Sequence, residues 1–272
     1  MKYCLWMIAL LFFSIEAQAT PGKIHAFIVG DSLPEYVGFG VAQDVVKDIT
    51  RMQEFLCILS KSIGFELDLH VLQGREVTIR NIEKGVTSLV GAPQDMFFFY
   101  YTGHGGQDEK KRKWPVIDLP RRGSLAGMAI VRYFRKLSQR SSFVIFDCCN
   151  SGFMPGQRTV RVRGDSFFKG VHSQAVQLPG LKKLFLETNG LLLATGAVRG
   201  QSADGGGCDE IPSSDELGGC FTTAFLYALC ESCRKADVSW EQVFEKVTKI
   251  CRKGQCFQQP YYRIEQDLLP VY

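Results

Sequence analysis

The chain has 272 residues, of which 46% are hydrophobic, 12% aromatic and 22% charged, and its formal net charge is +4. This composition excludes an intrinsically disordered or collagen-like protein, because the apolar residues suffice to build a core. The sequence has no internal repeat, which argues against a solenoid. Basic residues cluster at 110–113 and 158–163 without a helical face that carries aromatic residues, so we expect no nucleic-acid partner.

The N-terminus has the pattern of a secretory signal peptide. Lys2 precedes an apolar run over residues 3–15, and Ala17-Gln18-Ala19 follows as a small-residue cleavage site. The run is shorter than the roughly 18 apolar residues of a spanning helix. We therefore predict a signal peptide at 1–19 and a mature domain at 20–272, exported to a periplasm or extracellular space and with no other membrane contact. The alternative is that the segment is retained as an anchor.

Ten cysteines are present, and removing the signal peptide takes away only Cys4. The odd number that remains predicts at least one free thiol in an oxidising compartment. Cys230 and Cys233 could form a zinc site with Cys251 and Cys256. Their unequal spacing, the absence of a nearby histidine and the predicted export favour disulfides instead.

In chain order, the first half of the mature sequence predicts strands that alternate with helices. Continuous or alternating apolar runs predict strands at 24–29, 65–72 and 96–101. Apolar residues at spacings of three and four predict a helix over 45–63 and a second one after Thr78, which we expect to be its N-cap.

The second half continues this alternation. We predict a helix over 125–137, strands at 143–146 and 191–194, and a helix over 221–230. Residues 152–180 and 203–219 are expected to be irregular. Ser239 and Gln242 have the spacing of a capping box that begins a last helix. The alternation indicates one α/β domain, a three-layer sandwich with a mostly parallel sheet and helices on both faces.

Chemically interesting residues follow two of these strands. The strand at 96–101 runs into Thr102-Gly103-His104-Gly105-Gly106, and the strand at 143–146 runs into Asp147-Cys148-Cys149. Binding sites in parallel sheets form at the carboxyl ends of strands, and consecutive strands are usually neighbours. We therefore expect His104 and a cysteine to meet at one edge, which is the minimum set for catalysis by a thiolate nucleophile.

The segments FFFYYTGHGG (97–106) and FVIFDCCNSG (143–152) resemble the two signature blocks of the caspase superfamily. They are most similar to the metacaspase-like branch, whose motifs read Y-S-G-H-G and D-x-C-x-S-G. The resemblance implies a caspase-like fold and a cysteine endopeptidase with Cys149 as nucleophile and His104 as general acid. It also implies an oxyanion hole made by the backbone amides of Gly105 and Cys149. Cys148 falls at a variable position and is interpreted as a core thiol.

The same resemblance places Asp44, Thr102 and Asp147 in the pocket for the substrate residue before the scissile bond, the P1 residue. Carboxylates in such a pocket would bind a guanidinium or ammonium group, so we expect cleavage of proteins or peptides after Arg or Lys. Arg158, Arg161 and Arg163 would then make the 158–163 loop a substrate for self-cleavage.

We predict no metal cofactor. Between the two motifs the acidic residues are Asp108, Glu109 and Asp118, and the stretch after Cys149 is basic, so a calcium requirement is not expected. The competing hypothesis is a caspase-like domain that binds a partner and does not cut it. Labelling of Cys149 by an iodoacetamide probe, with and without reductant, would separate the two.

Overall fold

The computed structural model describes residues 22–107, 113–137, 140–151, 178–205, 211, 218–253 and 258–265. The predicted signal peptide, the 158–163 loop, Asp108 and Glu109 lie outside these ranges.

A six-stranded sheet is the centre of the described fold. Its strands lie in the order β2-β1-β3-β7-β8-β9, in which the first five are parallel and β9 pairs with β8 in the antiparallel sense. A small antiparallel sheet lies beside it, in the order β4-β5-β6. The strands are β1 (Lys23–Gly30), β2 (Glu66–Gln73), β3 (Met96–Thr102), β4 (Gly105–Gly106), β5 (Val116–Leu119), β6 (Gly123–Ala126), β7 (Ser141–Asp147), β8 (Gly190–Thr195) and β9 (Tyr261–Glu265).

Helices cover both faces of the six-stranded sheet. They are α1 (Pro34–Val37), α2 (Phe39–Ile63), α3 (Ile79–Thr87), α4 (Gly127–Phe134), α5 (Pro179–Leu186), α6 (Cys220–Cys233) and α7 (Trp240–Lys253). One hydrophobic core joins the sheet to α2, α5, α6 and α7, and a second core joins its other face to α3 and α4. The predicted three-layer α/β architecture is therefore confirmed.

The central strand β3 shows how sequence period determines these layers. Side chains alternate between the two faces of a strand. Phe98 and Tyr100 accordingly contribute to the core under α2 and α6, whereas Phe97, Phe99 and Tyr101 contribute to the core under α3 and α4. All five are fully buried, which explains the unbroken aromatic run.

Both predicted helix starts are confirmed by their hydrogen bonds. The Thr78 hydroxyl accepts the amide of Asn81 at 3.1 Å, as an N-cap does. The Gln242 side-chain oxygen accepts a hydrogen bond from the backbone amide of Ser239 at 3.0 Å. The Ser239 hydroxyl accepts one from the backbone amide of Gln242 at 3.3 Å. These are the reciprocal bonds of a capping box.

One prediction of secondary structure needs correction, and the structure adds elements that the sequence pattern does not predict. The helix predicted over 125–137 spans only Gly127–Phe134, because Leu125 pairs with Ile117 in the small sheet. Helix α5 lies at the end of the stretch predicted to be irregular, where Leu181, Leu184 and Phe185 are buried at helical spacing. The short strands β4, β5 and β6 and the edge strand β9 were not predicted.

None of the helices in the described ranges has the length and apolar content needed to span a bilayer. Cys220 forms a disulfide. Histidine, cysteine and acidic side chains in the same ranges form no group of three that could hold a metal ion. Cys256, one member of the alternative zinc site, lies outside the described residues.

Candidate active site

The two chemically interesting strand ends are neighbours, as expected. Strands β3 and β7 pair in parallel, with Thr102 opposite Asp147. The amide of Gly103 extends this pairing by donating to the carbonyl of Asp147 at 3.3 Å. The turn that carries His104 and the segment that carries Cys149 therefore leave the sheet side by side.

The backbone of His104 is held by two hydrogen bonds. Its carbonyl accepts the Tyr101 hydroxyl at 2.6 Å and the amide of Asp118 at 3.2 Å. The next residue, Gly105, lies so close to the cysteine segment that a Cβ atom there would clash with the carbonyl oxygen of Cys149 and stand 2.5 Å from Cys148 Sγ. Only glycine permits this approach. In the described residues no hydrogen bond joins the His104 imidazole to the Cys149 sulfur.

The geometry of β4 determines where the amide of Gly105 points. Gly105 lies opposite Ile117, so His104 lies opposite Asp118 and is bonded to it. Bonded and non-bonded pairs alternate along an antiparallel ladder, which turns the Gly105 amide away from β5. Two residues later on that same edge, the amide of Gln107 donates to the carbonyl of Ser151 at 3.0 Å. The Gly105 amide therefore faces the side of the Cys149–Ser151 segment.

The Cys149 sulfur is half-buried and contacts the backbone of Ala203. The Ala203 amide donates to Sγ at 3.3 Å, and the thiol faces the Ala203 carbonyl at 3.7 Å. Burial raises the pKa of the Cys149 thiol, and the charges of Asp147 and Asp204 raise it further. The hydrogen bonds from the Ala203 amide and the Ser202 hydroxyl act in the opposite direction. The resting sulfur is therefore a thiol held beside donors that favour the thiolate.

The neighbouring Cys148 has a different environment. Its side chain is 1% exposed and belongs to the core under α3 and α4. Burial raises the pKa of this thiol well above its ordinary value, and the nearby Cys149 and Asp147 add to the effect. A buried, protonated thiol is unreactive.

The three residues predicted to line the P1 pocket lie in one layer, between the sheet and helices α2 and α6. Asp44 Oδ1 accepts the amide of Gly218 at 2.8 Å. Asp147 Oδ2 accepts both the amide and the hydroxyl of Thr222, at 3.0 and 2.5 Å. Burial raises the pKa of Asp147 to about 6; the bonds from Thr222 oppose this shift, and the charge of Asp44 adds to it. Thr102 donates its hydroxyl to a further carboxylate on α2.

That further carboxylate belongs to Asp48. The sequence motifs identify neither Asp48 nor Arg51 as a residue of the site. Both side chains are buried, at 1% and 2% exposure, and Arg51 Nη1 donates to the Thr223 hydroxyl at 2.8 Å. A signal was present in the sequence: Asp44, Asp48 and Arg51 recur at helical spacing beside the apolar stripe of α2. Ionisable residues at such positions are buried only when they are paired or serve a site.

Glycine backbone lies directly over the aspartates predicted to line the P1 pocket. Gly205 and Gly219 pair with each other in an isolated antiparallel bridge. A Cβ on Gly205 would clash with Asp44 Oδ2, and one on Gly219 would clash with Asp147 Oδ2. The aspartates are thus satisfied by backbone donors, and a substrate side chain could reach them only if this cover moved.

Comparisons with known proteins agree with this architecture. A crystal structure of caspase-1 from Spodoptera frugiperda has a TM-score of 0.54 and 12% identity, over 89% of this chain and 86% of that one. A crystal structure of a protein from Geobacter sulfurreducens has a TM-score of 0.54 and 17% identity, over 92% and 96% of the two chains. At such identities the likeness shows the fold alone, which is the caspase-like α/β fold.

The family is shown by the sequence itself. The caspase domain family matches residues 28–268, so the chain belongs to this family of cysteine peptidases. A comparison with curated protein sequences finds no significant match.

Proposed function

We propose that the chain is a cysteine endopeptidase that cleaves protein substrates after Arg or Lys, with Cys149 as nucleophile and His104 as general acid. The observation that carries the proposal is the packing of the His104-Gly105 turn against Cys149, at the same sheet edge as the buried aspartates Asp44 and Asp147.

The nucleophile is supported by the contrast between the two adjacent cysteines. The Cys149 sulfur is partly accessible and accepts a backbone amide, whereas Cys148 is sealed in the core. Because burial raises the pKa of the Cys149 thiol, His104 would accept its proton as the sulfur attacks the substrate carbonyl. The same proton would then pass to the leaving amine, giving a thioester that water hydrolyses.

The oxyanion would be stabilised by backbone donors. The Gly105 amide points away from β5 towards the side of the cysteine segment, where the predicted partner is the amide of Cys149. Two preorganised N–H groups at a developing negative charge are worth about 3 kcal/mol each in comparable sites.

Specificity for a basic P1 residue is supported by charge. Asp44 and Asp147 lie close enough for the charge of one to raise the pKa of the other. A guanidinium or ammonium group between them would relieve this repulsion, whereas an acidic side chain would increase it. Export of the protein and self-cleavage in the 158–163 loop belong to the same proposal and rest on the sequence alone.

The test is hydrolysis of paired fluorogenic peptides by residues 20–272 in reductant, one peptide ending in Arg and the other in Asp. We expect turnover of the Arg peptide only, its loss in Cys149→Ala, and its retention in the matched variant Cys148→Ala. Turnover of the Asp peptide would refute the basic pocket. No turnover by folded protein with an alkylatable Cys149 would favour a non-catalytic binding domain.

A further inference from the structure

Asp48 connects three elements around the pocket. It lies four residues after Asp44 on α2, so the two side chains share a helical face. Asp48 Oδ2 accepts the Thr102 hydroxyl at 3.0 Å, at the end of β3. The amide of Gly219, at the start of α6, donates to both carboxyl oxygens at 2.9 and 3.0 Å.

The carboxyl groups of Asp48 and Asp147 flank the same glycine. A Cβ on Gly219 would stand 3.0 Å from Asp48 Oδ2 and would clash with Asp147 Oδ2. Two carboxyl groups so close together and buried cannot both be ionised at moderate cost. Burial and the charge of Asp147 accordingly raise the pKa of Asp48 well above its ordinary value, and Arg51 opposes this only in part.

The charged groups around Asp48 in the described residues are few. Asp44 and Arg51 lie on its own helix, and Asp147 lies on β7. Tyr100 on β3 is neutral, because burial raises its pKa well above the ordinary value. With Asp48 protonated, two anions and one cation leave a single negative charge, which matches one basic side chain.

We propose that Asp48 is a positioning residue of the P1 pocket that acts as a neutral carboxylic acid: it holds Thr102 in place at the end of β3 and leaves Asp44 and Asp147 to bind the cation. This inference rests on the proposed function, because it assumes that the pocket takes a basic side chain. A protonated Asp48 can still accept the hydrogen bond from the Thr102 hydroxyl, and the pocket then avoids two adjacent negative charges.

The test uses Cys149→Ala protein, so that it does not depend on catalysis. Calorimetry at neutral pH measures the binding of arginine amide to this protein. The same measurement is made on three double variants, which add Asp48→Ala, Asp48→Asn or the exposed control Asp237→Asn. We expect Asp48→Ala to weaken binding about tenfold, the effect of losing hydrogen bonds at a charged site. Asp48→Asn, which is neutral and keeps an acceptor, should restore most of that loss. The control should not change the affinity.

Infrared spectroscopy provides a second readout that needs no variant to bind ligand. The carbonyl band of a protonated carboxyl group should be present at neutral pH in Cys149→Ala protein, disappear when Asp48→Asn is added, and persist with Asp237→Asn. Absence of this band, or an Asp48→Asn variant as weak as Asp48→Ala, would overturn the inference. Arginine amide binding without peptide turnover in the unmutated protein would instead refute the proposed catalysis and leave the role of Asp48 standing.

Discussion

The buried ion pair between Asp31 and Arg122 offers a sharp test of what supports the His104 turn. Arg122 Nη2 contacts the two oxygens of the Asp31 carboxylate at 2.8 and 2.7 Å, and Asp31 is fully buried. The amide of Asp31 donates to the carbonyl of Thr102 at 3.1 Å, and its Cβ stands 3.1 Å from where a Cβ on Gly103 would be. The pair therefore lies directly beneath the turn that leads to His104.

Replacing Arg122 by Met should be costly. The substitution keeps an apolar stem but leaves the Asp31 carboxylate buried without its partner, which costs about 3–5 kcal/mol of unfolding free energy. It also removes the contact of the guanidinium with the Tyr36 ring, 4.3 Å from its centroid, and the bond to the Val77 carbonyl. Adding Asp31→Asn to the variant should recover about 2 kcal/mol, because the orphaned charge is then absent.

Urea unfolding of the single and double variants would measure these values, with Arg135→Met as the matched control. Arg135 also makes a bidentate pair, at 2.7 and 2.6 Å, but it is 32% exposed, and its partner Glu265 keeps Arg263 at 3.3 Å. We expect Arg135→Met to cost only about 1 kcal/mol. Equal losses in Arg122→Met and Arg135→Met, or strictly additive effects in the double variant, would show that the cost does not come from an unpaired buried charge at Asp31.

Four further predictions concern the site. Since burial raises the pKa of Asp147 to about 6, kcat/KM for an Arg peptide should fall about tenfold per pH unit below that value; a flat profile down to pH about 5 would count against the pocket. The same shift means that the contribution of Asp147 to the free energy of unfolding is complete below its unfolded pKa of about 4 and is lost as the pH rises through about 6. Urea unfolding at pH about 4 and at pH about 6 would detect this loss. Tyr101→Phe removes the hydroxyl bonded to the His104 carbonyl, so unfolding free energy should drop by about 1 kcal/mol and kcat should fall more than KM changes; an unchanged kcat would argue that this bond does not position the turn. Ser202→Ala removes a hydrogen bond that lowers the pKa of Cys149, so the pH midpoint of alkylation by iodoacetamide should move upward, and an unmoved midpoint would contradict that role.

Local pattern was sufficient for the elements that carry the chemistry. The aromatic run of β3 and the apolar run of β7 are readable as buried strands, and consecutive parallel strands tend to be neighbours. The meeting of the His104 turn with the Cys149 segment could therefore be predicted. The N-cap at Thr78 and the capping box at Ser239 were also predictable, because both depend on residues only three positions apart.

Local pattern failed where pairing or packing decided the outcome. Leu125 fits a helical stripe, yet it lies in β6 because Ile117 on β5 pairs with it. Strand β9 has no distinctive alternation of its own and exists through its antiparallel pairing with β8. Short strands of this kind are stabilised by their partners rather than by intrinsic preference.

Asp48 illustrates the division most clearly. Helical period alone puts Asp44 and Asp48 on one face of α2. That this face meets Thr102, Asp147 and Gly219, from β3, β7 and the start of α6, follows only from the way these elements pack. Helical period acts over a few residues, whereas the burial of a charge and its coupling to other charges depend on which distant elements surround it.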